Sequence, residues 1–158
     1  MRSIVKMLVV FALVLLVFGQ EKQEPIMFKH WFDGATDALA KLEKSLAARE
    51  KAFTELADKM KEGDKTKLFV YALKTSTAHS NVRLEAAGGG DFARNLEKQA
   101  KQDFTDGNIT EAKYDESMAL VKKLRGIIDT KKTPTDEQKK IYTDAYEKLG
   151  EKPFTSLD

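Results

Sequence analysis

Two histidines, 25 carboxylates and no cysteine are what this chain of 158 residues offers to a metal ion or an acid–base reaction. His30 and His79 lie far apart in sequence, whereas a metal site needs three or four ligands converging on one point. The missing cysteines exclude thiol catalysis and cysteine-based zinc sites. Catalysis by paired acids needs burial that drives two carboxyl pKa values apart, and the carboxylates here fall on stretches dense in lysine, which reads as a solvated surface. The turn around Gly107 resembles a calcium loop only superficially: with Gly107 at the sixth position, Phe104 falls on the third ligand and Lys113 where a bidentate Glu is required. Gly88, Gly89 and Gly90 lack the following Lys-Ser or Lys-Thr of a phosphate loop and read as a linker. Gly-x-Ser-x-Gly and His-Glu-x-x-His are absent. No nucleophile, base and orienting group can be named together, so the expectation is a non-enzymatic protein without metal or cofactor.

Covalent modification is the one chemistry with a sequence signal. Asn108, Ile109 and Thr110 form a glycosylation sequon, although Asn108 is also placed to cap a helix. The sequon has meaning only on a secretory route, and the chain start suggests one. Arg2 and Lys6 precede an apolar run of twelve residues, Met7 to Phe18, with Val17 and Gly19 at cleavage spacing. A spanning helix needs roughly 20 apolar residues, so a cleaved signal over 1–19 is expected rather than a permanent membrane span. The expected product is secreted and extracellular, one domain over 20–158 with loose ends at 20–26 and 151–158.

Without Arg2 and Lys6 the chain carries 25 basic and 25 acidic residues. That balance lacks the positive footprint of a nucleic-acid-binding protein. Stability without disulfides must come from apolar burial between elements.

The elements read as helices. From Phe28 to about Glu62, apolar residues recur at threes and fours, interrupted at Arg49, and Gly63 ends the stripe. This first helix is expected to be the longest, with Gly34 marking a kink or a late start. Asp64 caps a second segment whose apolar run, residues 68–73, reads as helix because no strand partner exists for it. Asp91 opens a third helix after the glycine triplet, and Asn108 or Thr110 opens a fourth. Thr133 followed by Pro134 opens a fifth, ended by Gly150. Short connections favour antiparallel neighbours, so the expected fold is all-α, an antiparallel bundle of four to five amphipathic helices.

Twelve aromatics lie beyond residue 19, most of them on the helical stripes. Core packing is their default role, but sites between helices also receive apolar ligands. Phe28, Trp31, Phe32, Phe53 and Phe69 are the candidates to line such a site. A signal-like start, no cysteine and helices rich in Lys, Glu and Ala resemble secreted helical lipid carriers, such as exchangeable apolipoproteins and the helical fatty-acid-binding proteins of nematodes. The resemblance is compositional and implies a lipid or other apolar small molecule as ligand. The alternative is a protein–protein interaction module, or a self-associating one, whose first helix docks through a seam at Leu42 and Leu46.

Overall fold

A computed structural model describes residues 24–153, 156 and 157; the expected signal over 1–19 lies outside them. The described residues are built of four helices: α1 (Ile26–Glu62), α2 (Lys65–Thr105), α3 (Glu111–Lys131) and α4 (Asp136–Leu149). None is long and apolar enough to cross a membrane.

Both long helices follow a 3.5-residue rhythm. In α1, Phe28, Phe32, Ala35, Leu39, Leu42, Leu46, Arg49, Phe53, Leu56 and Met60 succeed one another in steps of four and three. In α2 the same steps join Leu68, Ala72, Thr75, His79, Val82, Ala86, Gly89, Ala93, Leu96, Ala100 and Asp103. Such a period keeps one seam facing its partner along the whole length of a helix, as in coiled coils. Nearly all of these residues are buried, and α1 and α2 form an antiparallel hairpin along them. The small residues of α2 let the two backbones approach closely.

The shorter helices pack on this hairpin one after the other. Val121 and Leu124 of α3 join Leu39, Leu42, Val82 and Leu96 in one apolar cluster. Tyr142, Ala145 and Tyr146 of α4 join Phe53, Leu56, Leu68 and Ala72 in a second, which Leu157 completes from the chain end. The described residues show no packing of α3 on α4. At roughly 1.5 Å per residue the pair together nearly match the length of α1, so the architecture is a three-layered bundle whose third layer is broken.

Several expectations are corrected. The second and third expected helices are one, and at 41 residues α2 is longer than α1 at 37. The glycine triplet is not a linker. A Cβ on Gly89 would stand 3.2 Å from Leu124 Cδ1, so the missing side chain admits Leu124 of α3, while Gly88 and Gly90 face open space. Gly34 marks no start, since α1 already runs from Ile26. Its absent Cβ is replaced by the ring of Phe92, whose Cε1 would lie 2.3 Å away. Of the two openings expected for the helix that is α3, Thr110 is the cap: its hydroxyl accepts from the Lys113 N–H at 3.2 Å. The last helix is capped by Thr135 in a reciprocal box with Gln138, two residues later than Thr133–Pro134 suggested.

The remaining boundaries follow their residues. Gly63, Gly107 and Gly150 take positive φ of 78°, 68° and 75° at the turns. The Asp64 carboxylate accepts from the Lys67 N–H at 3.0 Å, and that backbone bond holds its pKa below the usual carboxylate value. Glu55 pairs with Lys51 and Lys59 with Glu62.

Candidate functional site

The five aromatics proposed from sequence do not form one site. Phe28 and Phe32 stack at 5.9 Å, and Trp31 meets Phe92 edge-on at 5.9 Å, all near the start of α1. Phe53 lies about 30 Å further along the helix axis, buried in the other cluster. Phe69 is half-buried near the start of α2. Asn108 is exposed in the turn between α2 and α3, where its Nδ2 donates to Asp103 Oδ1 at 3.2 Å. His30 is exposed beside Trp31.

Two arrangements remain that sequence reading did not assemble. The first is a buried polar layer at the break between α3 and α4. Arg49 is 2 % exposed and donates from its two terminal nitrogens to the carbonyls of Lys131 and Lys132, each at 2.9 Å. These carbonyls belong to the last turn of α3, where no further helical N–H can reach them. Gln138 at the start of α4 donates to Glu50 at 2.8 Å. The side chain that looked like an interruption of the apolar stripe therefore caps a helix end inside the bundle.

His79 occupies the same layer, 1 % exposed, with neither ring nitrogen hydrogen-bonded. Burial, reinforced by the positive charges of Arg49, Arg83 and Lys139, holds its pKa below the ordinary histidine value. A pH consequence follows. Above pH ~6.5 His79 is neutral whether the chain is folded or not, and it adds no pH dependence. As pH falls below ~6.5 the unfolded chain binds a proton that the folded chain resists, so stability declines by up to about 1.4 kcal/mol per pH unit. Urea unfolding between pH 7 and 5 should show this decline in the native sequence. His79→Leu should abolish it. An unchanged slope would mean that His79 protonates freely in the folded state.

The second arrangement is a groove on the outside of the hairpin, between α1 and α2. It has a volume of about 470 Å³ and is lined by Ser45 and Ala48 of α1 and by Val70, Leu73, Lys74, Thr77, Ala78 and Asn81 of α2. Large hydrophobic side chains are exposed along it: Val70 at 45 %, Leu73 at 36 % and, one turn beyond Asn81, Leu84 at 73 %. Val70, Thr77 and Leu84 are spaced by sevens, with Leu73 between the first two. Thr77 spends its hydroxyl on the Leu73 carbonyl at 3.0 Å, leaving its methyl group to the groove. Thus α2 carries two repeats of helical period, one buried in the bundle and a second that none of the described helices covers. The small side chains of Ser45, Ala48 and Ala78 keep the floor shallow and open.

The lining of the groove offers hydroxyl, amide and one ammonium group, with no carboxylate or imidazole. Among the described residues, no cluster of three His, Cys, Asp or Glu side chains is placed to hold a metal ion. No family model matches the chain, and comparison with curated proteins and with solved structures likewise gives no match.

Proposed function

We propose that the protein is a non-enzymatic interaction module whose outer groove between α1 and α2 docks an amphipathic helix of another molecule. The exposed repeat of Val70, Leu73, Thr77 and Leu84 carries this reading. An apolar stripe at heptad spacing is what one helix offers to another, and none of the described helices covers this one. The docking surface is therefore centred on α2, not on the Leu42–Leu46 seam of α1. On the secretory route suggested by residues 1–19, partner and module meet outside the cell, with Asn108 in its exposed turn as the glycan acceptor.

A single acyl chain is the second reading, favoured by a groove volume within the range of small-ligand sites. Its weakness is that the groove is open, whereas such sites bury most of their ligand.

A helical peptide of about three heptads, with Leu at the two apolar positions and uncharged Gln on the flanks, tests the proposal. Saturable binding is expected in fluorescence anisotropy. Val70→Asp with Leu84→Asp should abolish it, and because both residues are exposed, the thermal midpoint should stay nearly unchanged. Saturable binding of laurate below its micellar concentration, with none of the peptide, would replace this reading by the acyl-chain one.

A further inference from the structure

The rim of the groove is charged in one sense. Lys74 is part of its wall, with its ammonium 4.2 Å from the centre of the Tyr71 ring. Lys41 and Lys44 stand one helical turn before Ser45 and Ala48, so they lie on the same face of α1 as the groove floor. All three lysines are exposed, and none has a carboxylate partner among the described residues. Lys51, one turn beyond Ala48, is paired with Glu55 at 3.7 Å. Acidic side chains bound this lysine patch at both ends: Glu55, spent on Lys51, one heptad beyond Ala48; Asp37, one turn before Lys41; and Glu85, one turn after Asn81.

We propose that the helix this groove accepts is acidic and belongs to a different polypeptide. The inference rests on the docking reading above and adds the charge and origin of the partner. Surface lysines elsewhere on the bundle are interleaved with acids and often paired to them, as Lys29 is to Asp33, Lys101 to Glu97 and Lys140 to Asp144. Beside the exposed apolar repeat, Lys41, Lys44 and Lys74 form no ion pair with the acids among the described residues. A second copy of this chain is a poor occupant. In a two-fold interface the same patch meets itself, so Lys41, Lys44 and Lys74 would approach their own equivalents, and like charges across an interface oppose association. A helix with Glu or Asp flanking its apolar stripe meets the same lysines with attraction, and that attraction governs encounter rate and partner choice.

The uncharged peptide can be compared with two relatives of the same length, one with Glu and one with Lys at the flanking positions. Like charges on the flanks also keep each peptide from pairing with itself. Against the full chain at low salt, the Glu peptide should bind at least about tenfold tighter than the Lys peptide, with the gap narrowing as salt screens the charges. Lys41→Glu, Lys44→Glu and Lys74→Glu together should invert the preference while the melting curve stays native-like. Equal binding of the two charged peptides would overturn the acidic-partner inference and leave the docking reading standing. Failure of all three peptides would overturn both. A dimer in sedimentation that Val70→Asp with Leu84→Asp dissociates would assign the groove to a second copy and overturn the inference of a different polypeptide.

Discussion

Leu42→Lys should unfold the chain. Leu42 is 1 % exposed and packs with Leu39, Val82, Leu96, Val121 and Leu124, where α1, α2 and α3 meet. Removing it forfeits about 2–3 kcal/mol of apolar burial, and placing an ammonium among those side chains costs several more. The total approaches the whole stability of an ordinary domain, roughly 5–15 kcal/mol. Far-UV circular dichroism and urea unfolding should show a largely unfolded chain. Ala47→Lys, on the exposed face of the same helix, should leave both measurements near native. If Leu42→Lys remained fully folded and only its mass in solution changed, the α1 stripe would be an intermolecular seam and the bundle described here would be wrong.

Arg49→Ala should cost about 2–4 kcal/mol, which is large for a polar residue. Hydrogen bonds from a charged donor contribute about 1.5–3 kcal/mol, and the substitution removes both donors from two carbonyls at the end of α3. Arg49→Met separates packing from hydrogen bonding. It fills much of the same volume in the stripe, so it should recover part of the loss but not all of it. Arg49→Lys places a single point of charge where two parallel donors are needed and should also fall short. Equilibrium urea unfolding decides among these. A methionine variant as stable as the native chain would mean that the carbonyls of Lys131 and Lys132 find other partners.

Much of the bundle was legible in the sequence, and the failures share a cause. The stripe of α1, the turns at Gly63, Gly107 and Gly150 and the helical state of residues 68–73 follow from period and turn chemistry, which are local. The division of α2 failed because three successive glycines cost a helix roughly 1 kcal/mol each by propensity. That local preference is outweighed by packing which depends on α3: Leu124 needs the space at Gly89, and no inspection of residues 85–95 alone reveals it. Gly34 repeats the lesson, since its reason is a phenylalanine 58 positions away. Arg49 looked like a flaw in the stripe because the carbonyls it serves come from the far end of another helix.

The candidate site was less legible. The aromatics were grouped by type, yet the fold separates Phe53 from Phe28, Trp31 and Phe32 by the length of several turns. The groove had a signal in the spacing of Val70, Leu73, Thr77 and Leu84. It was masked because Leu68 and Ala72, which face the core, interleave with Val70 and Leu73, which face outward, and the whole run read as buried. Only the fold shows which residues of an apolar run turn away from the interior.

Backbone chemical-shift mapping of the labelled chain, titrated with the uncharged helical peptide, tests the docking reading most directly. Changes are expected to cluster at Ser45 and Ala48 and from Val70 to Leu84, while Phe28, Trp31 and Phe53 stay close to their free positions. Shifts centred on Phe28, Trp31 and Phe53, with the groove residues unmoved, would place binding inside the bundle and contradict it.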